Sequence, residues 1–268
     1  MPTTNSNGAE IYYEVHGQGE PLLLIMGLSH NSLSWFRTLP ELAKHYKVII
    51  FDNRGCGKSE TPTSPYSIEL MAEDARAVLD AAEVDSAHVY GISMGGMIAQ
   101  RLTLLYPERV KSLVLGCTTA GGPNHVQPSM EVSMQMMARA NSQATPEEMA
   151  WEAARLIYSS SFIETNRDII AEDIKKRIEI PTSAQGYMLQ LQACLGHHTD
   201  EELHQIKCPT LVFHGDADVL VPYPNGQNLA NKIPNAELIT IPGAGHIYTS
   251  EAPDLVHNKL REFLGSQK

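Results

Sequence analysis

Ser93 stands in Gly91-Ile92-Ser93-Met94-Gly95, between an apolar run that reads as a strand and a pattern that reads as a helix. A serine hydroxyl is a poor nucleophile unless a base lies beside it and its oxygen is presented clear of the chain. A tight strand-to-helix turn achieves the second by forcing the serine into a strained backbone conformation. Glycines two residues to either side then leave room for the adjoining strand and helix. A serine N-cap after a strand is the competing explanation; the flanking glycines and the context favour the nucleophile. Met94, at the N-terminus of the following helix, would offer its backbone N–H to a developing negative oxygen, with the helix dipole in support.

A nucleophilic serine needs a general base, and the base needs a carboxylate to orient it. The sequence holds eleven histidines, so position must choose among them. His246, in Gly243-Ala244-Gly245-His246, follows the run Glu237 to Ile241 and precedes the last helix. Such loops gather at the carboxyl edge of a parallel sheet, where ligands bind, and the chain order serine, acid, histidine fits. His214 directly follows an apolar run and is expected to be packed and structural. His197 and His198 lack further ligands at metal spacing, so no metal is expected. For the acid, Asp216 and Asp218 both lie in the loop after the strand that ends near His214. Either could orient a histidine or stabilise a turn, and the residues alone leave both open.

Elements to position these groups follow from periodicity. Strands are expected at Ile11 to Val15, Leu22 to Met26, Val48 to Phe51, Ala87 to Tyr90, Val110 to Leu115, Thr210 to His214 and Glu237 to Ile241. Ser67 starts a helix with Leu70, Met71, Ala75, Val78, Leu79 and Ala82 on one face. Helix Met94 to Tyr106 stops before Pro107, and a closing helix runs from Asp254 to Leu264. Strands separated by helices imply an α/β fold with a mainly parallel central sheet and helices on both faces. Between Ala120 and Ile206 the pattern is helical without strands. Thr145-Pro146-Glu147-Glu148 is a strong helix start, and helices are expected over Arg167 to Ile178 and Ser183 to Leu195. This gives a sheet domain of residues 1–119 and 207–268, interrupted by a helical insertion of residues 120–206. Met130, Met134, Met136 and Met137 in the insertion suit either an adaptable apolar roof or core packing. Cys117, just past a strand end, suits either the pocket wall or a small buried site.

Composition narrows the partners. Twenty basic residues against 31 acidic ones give a net charge of −11, with no basic tract to coat phosphates, so nucleic acid and anionic membrane surfaces are not expected partners. No run is long enough to cross a bilayer. The N-terminus lacks the basic and apolar stretches of a secretory signal, and four cysteines show no paired spacing. Free thiols and a cytoplasmic location are expected.

Taken together, Gly91-Ile92-Ser93-Met94-Gly95-Gly96, Phe51-Asp52-Asn53-Arg54-Gly55-Cys56-Gly57-Lys58-Ser59 and Tyr106-Pro107-Glu108-Arg109-Val110 resemble the α/β-hydrolase superfamily. Gly215-x-x-Asp218-x-x-x-Pro222 and Gly245-His246 complete the match, which covers about Glu10 to Thr118 and Pro209 to Phe263. The resemblance implies that Asp218 is the acid of a Ser93–Asp218–His246 triad and that residues 120–206 form a cap domain. It also implies a second oxyanion donor after the strand Leu22 to Met26. Here Met26-Gly27-Leu28 replaces the family's His-Gly-x, and the backbone N–H of Leu28 can still serve. Asp52 to Gly57 resembles a family turn and is expected to be structural, since it lacks a Gly-Lys-Ser/Thr ending at the spacing of a phosphate loop. The stretch from Phe51 to Thr119 is similar to 3-oxoadipate enol-lactonases and small carboxylesterases. The expected activity is hydrolysis of a small-molecule carboxylic ester or lactone through an acyl-enzyme, with no cofactor. Cofactor-free haloperoxidases and perhydrolases, and ligand-sensing proteins on the same scaffold, are the alternatives. Oligomeric state is not legible.

Overall fold

The apolar runs pair edge to edge into an eight-stranded sheet in the computed structural model, which describes residues 2–139 and 142–267. In chain order the first half contains β1 (Thr3–Ser6), β2 (Ala9–His16), β3 (Glu20–Ile25), α1 (Leu39–Leu42), β4 (Tyr46–Phe51), α2 (Ile68–Ala81), β5 (Ala87–Ile92), α3 (Met94–Leu105) and β6 (Val110–Gly116). Five helices follow: α4 (Met130–Ala138), α5 (Pro146–Ile157), α6 (Ser160–Thr165), α7 (Arg167–Arg177) and α8 (Ala184–Leu195). The chain then returns to the sheet with β7 (Thr210–Gly215), α9 (Pro224–Lys232), β8 (Ala236–Ile241), α10 (Tyr248–Glu251) and α11 (Pro253–Gly265).

The strand order is β1-β2-β4-β3-β5-β6-β7-β8. Neighbours from β4 through β8 are parallel, while β2 pairs antiparallel with β4 and β1 antiparallel with β2. Period-two alternation divides the strands between two cores. Leu23, Ile25, Ile49, Val89 and Val212 face α2, α3 and α9, whereas Leu22, Leu24, Val48, Tyr90 and Phe213 face α1 and α11. Burying each such side chain contributes roughly 1.5–3 kcal/mol relative to exposure, which explains why register is fixed on both faces. Helices on both faces of a mainly parallel sheet match the expected class.

Sequence periodicity did not reveal β1, α1, α4, α6, α9 or α10, and for two of these the reason is plain. Strand β1 is polar and sits at the sheet edge, and α9 carries Asn225, Gly226, Asn228 and Asn231, poor helix formers. Its buried residues are Asn225, Gly226 and Leu229, so tertiary contact holds it. The expected start of α5 is present as a capping box, Thr145 Oγ1 accepting from Glu148 N at 3.3 Å and Glu148 Oε2 from Thr145 N at 2.8 Å. Among the described residues no helix is long and apolar enough to cross a membrane.

The site follows from the strand order. From β3 the chain steps outward to β4, then crosses back to β5 on the other side of β3. The carboxyl ends of β3 and β5 therefore diverge in connection, the place where open parallel sheets form ligand crevices. Gly27 and Leu28 leave β3 there, and Ser93 leaves β5.

Candidate active site

Ser93 has φ 57° and ψ −121°, strained for a residue with a side chain. The surroundings compel it. A Cβ on Gly91 would lie 2.1 Å from the Gly95 carbonyl oxygen, and one on Gly95 would lie 2.1 Å from that of Ile25. Only glycine lets β5 turn directly into α3 against β3. The bend is tied down by Ser93 N donating to Gly116 O at 2.8 Å and Thr118 Oγ1 donating to Ser93 O at 2.7 Å. The Ser93 side chain faces a cavity of about 510 Å³, whose wall includes Leu28, Met94 and His246.

His246 and Asp218 meet from two loops. His246 Nδ1 lies 2.7 Å from Asp218 Oδ2, both side chains buried. An ionised carboxylate only accepts, so Nδ1 carries the proton and Nε2 keeps its lone pair. Asp218 Oδ1 accepts from Leu220 N at 2.8 Å and Val221 N at 2.9 Å, which fixes the carboxylate plane. Asp216 instead is exposed, and its Oδ1 accepts from Gly243 N at 2.6 Å, bracing the turn before the histidine. The two aspartates left open by residue type are thus separated by the fold. No hydrogen bond joins Ser93 Oγ to His246 among the described residues; the two share the cavity wall. Such bonds are often long before substrate binds.

Neither the Leu28 nor the Met94 backbone N–H has a hydrogen-bond partner among the described residues. Two side chains, Asn53 and Gln190, hold the Leu28 loop. Asn53 Nδ2 donates to Met26 O at 2.8 Å, Ser29 N donates to Gln190 Oε1 at 2.8 Å, and Gln190 Nε2 donates to Arg54 O at 2.9 Å. Gln190, fully buried on α8, was not legible beforehand; a polar residue among apolar ones on a buried helix face is its only signal. The Asp52 turn is structural, as expected. Asp52 accepts from Ser32 N at 2.6 Å and Lys58 N at 2.7 Å, and a Cβ on Gly57 would strike its Oδ2 at 2.1 Å. Arg54 pairs with Asp74 in the interior.

Cys117, His214 and Asp218 place one ligand-type atom each within 4.8 Å of one another, the one such triplet among the described residues. The group does not suit a cation. Burial, then the charge of Asp218, pushes the Cys117 thiol well up, keeping it protonated, and Asp218 already accepts three hydrogen bonds. His214 is packed as expected, its Nε2 donating to Val221 O at 2.7 Å while burial keeps it neutral. Cys117 lies in the core rather than on the cavity wall. His197 is buried beside Thr199 Oγ1 at 3.3 Å. Of the four methionines, Met136 lines the cavity and the other three face solvent, so neither roof nor core describes the set.

A Poly(3-hydroxyalkanoate) depolymerase of Ectopseudomonas oleovorans is 34% identical over 248 residues, covering 92% of this chain and 85% of that protein. A protein of Azorhizobium caulinodans, provisionally called carbamate hydrolase RutD, is 31% identical over 265 residues, covering 99% and 98%. The solved enol-lactonase of Burkholderia xenovorans LB400 superposes with a TM-score of 0.87 at 25% identity, over 98% of this chain and 100% of that one. The family described as alpha/beta hydrolase fold matches residues 20–253. That span runs from β3, through the bent serine, to the loop that carries His246, and on it this chain belongs to the α/β-hydrolase family.

Proposed function

We propose that this protein is a serine hydrolase that cleaves a small carboxylic ester or lactone through an acyl-enzyme. The observation that carries the reading is the strained Ser93 facing the same cavity as a histidine whose far nitrogen is bonded to a buried aspartate. In this mechanism His246 Nε2 takes the Ser93 proton as Oγ attacks the carbonyl carbon. The carbonyl oxygen, now negative, accepts from the N–H groups of Leu28 and Met94, each such donor being worth about 3–4 kcal/mol in a water-poor site. His246 returns the proton to the departing alcohol oxygen, then takes one from water as water attacks the acyl-serine. It hands that proton to Ser93 Oγ as the acyl–Oγ bond breaks and the carboxylic acid leaves. Asp218 stabilises the imidazolium in both steps without taking its proton.

Relatives named as an enol-lactonase and as a polyalkanoate depolymerase support an acyl–oxygen bond as the target. Residues 120–206 act as the cap domain on a core of residues 1–119 and 207–268. Supporting this, Met136, Glu152, Arg177 and Tyr187 from the insertion line the cavity over Ser93. The four cysteines are unpaired, which agrees with a cytoplasmic location.

The test is hydrolysis of short p-nitrophenyl esters. Many turnovers per protein are expected, and their loss in Ser93→Ala with unfolding temperature unchanged. Undiminished turnover in Ser93→Ala would remove the assignment, and a single slow event per protein would fit a ligand sensor instead.

A further inference from the structure

Leu28, the proposed oxyanion donor, sits in a turn closed by His30, whose backbone N–H donates to Gly27 O at 3.2 Å. The His30 side chain borders the cavity over Ser93 and a recess of about 40 Å³ that shares Met26, Ile92, Ile157, Arg177 and Ile247 with it. Its Nε2 lies 3.0 Å from Nη1 of Arg177, the last residue of α7. A guanidinium carries N–H groups and no acceptor, so Arg177 donates and Nε2 must hold a lone pair. The ring proton is therefore on Nδ1. Nδ1 has no hydrogen-bond partner among the described residues, yet it is not one of the partnerless side-chain atoms shut off from solvent. It opens onto the space that the cavity and the recess form together.

Both groups keep their state near neutral pH. Burial, then Arg177, holds His30 well below the usual imidazole range, so the ring stays neutral. Burial, then Arg139, lowers Arg177 only to about 10, so the guanidinium keeps its charge. That charge at Nε2 polarises the ring and strengthens Nδ1–H as a donor. A molecule filling the cavity displaces water from this N–H, which then goes unpaired unless the molecule supplies an acceptor. A site with such a donor rejects an analogue that lacks the matching oxygen.

We propose that His30 is a specificity-determining residue whose Nδ1–H donates to an uncharged oxygen of the substrate, such as an ether or keto oxygen, and that Arg177 positions it by fixing the ring tautomer. His30 lies in the same turn as Leu28, so the oxygen it meets sits a few bonds from the scissile carbonyl. The inference rests on the serine-hydrolase reading for where that carbonyl lies; the fixed donor stands on Arg177 and the cavity alone.

The experiment uses Ser93→Ala protein with isotope-labelled histidine, so that binding is read without turnover. Proton–nitrogen correlation spectra, with His30 identified by the signals lost in His30→Phe, should show its proton on Nδ1. Arg177→Leu should move that proton partly to Nε2, and Arg177→Lys should leave it on Nδ1. Methyl methoxyacetate, β-methoxypropanoate and γ-methoxybutanoate are then titrated against methyl butanoate, pentanoate and hexanoate, each ether having oxygen in place of one CH₂. In at least one pair the ether-to-hydrocarbon affinity ratio is expected to be about 3- to 10-fold higher than in the same protein carrying His30→Phe, the worth of one neutral hydrogen bond. Should His30→Phe fail to fold, Arg177→Leu reads the same ratio and should lower it. A proton on Nε2 in the presence of Arg177 would overturn the proposal, as would ratios that His30→Phe leaves unchanged in all three pairs. If Ser93→Ala still hydrolyses the esters, the catalytic reading fails while the tautomer of His30 is still measured.

Discussion

Replacing Asp218 with asparagine exchanges one oxygen for an NH₂ group, and the structure dictates how the site must respond. Asp218 Oδ1 is committed to Leu220 N and Val221 N, at 2.8 and 2.9 Å. The asparagine oxygen must stay there, because an NH₂ group facing two N–H donors would repel both. Its NH₂ group therefore faces His246 Nδ1, 2.7 Å away in the parent. Nδ1 must then accept, the ring proton moves to Nε2, and the nitrogen facing the cavity can no longer take a proton from Ser93. A triad with its imidazole in the wrong tautomer loses about 10⁴ in kcat, about 5 kcal/mol of transition-state stabilisation. Folding should change little, since both backbone bonds survive. Asp216→Asn should stay within about threefold of the parent, because its partner, Gly243 N, is at the surface and such bonds contribute only about 0.5–1.5 kcal/mol. The assay is kcat/KM on p-nitrophenyl butyrate for both variants, with thermal unfolding alongside. An Asp218→Asn enzyme within tenfold of the parent, or Asp216→Asn as the worse of the two, would refute the tautomer argument.

Two other perturbations test the support of the site. Gln190→Ala removes the acceptor of Ser29 N and the donor to Arg54 O; kcat should drop about tenfold with KM little changed as the Leu28 N–H loses its aim, and unfolding free energy should fall by about 1–3 kcal/mol. An unaltered kcat would show that the loop needs no anchor from α8. His197, held by burial at about 3, stays neutral in the folded protein while the unfolded chain takes up a proton below about 6.5. Because the unfolded state then binds more protons, stability should decline as pH falls from about 6.5 toward 3, by at most about 1.4 kcal/mol per pH unit from this group. His197→Asn should flatten that decline in denaturant titrations, and an unchanged slope would assign it to other groups.

Much of this protein was legible as a string of residues because its signals are local. Short continuous apolar runs wrote the strands, since a buried parallel strand must be apolar on both faces. Glycine wrote the bend at Ser93, since no side chain fits at positions 91 and 95. Thr145 and Glu148 wrote the start of α5, their side chains satisfying backbone donors only three residues apart. Elements without such signatures escaped: β1 exists because β2 offers it an edge, and α9 because Leu229 and Asn225 find partners elsewhere in the chain. The choice between Asp216 and Asp218 could not come from residue type, because two positions of one loop differ only in what the rest of the molecule sets opposite them. Distance in space also decided that Cys117 packs beneath the acid, that three methionines of α4 face water, and that Gln190 steadies a loop 161 residues away. His30 and Arg177, 147 positions apart, carry no shared pattern along the chain. Their meeting at the cavity over Ser93, with one donor left unbonded, is a property of packing, because burial and unmet hydrogen bonds exist only once the surrounding side chains have closed.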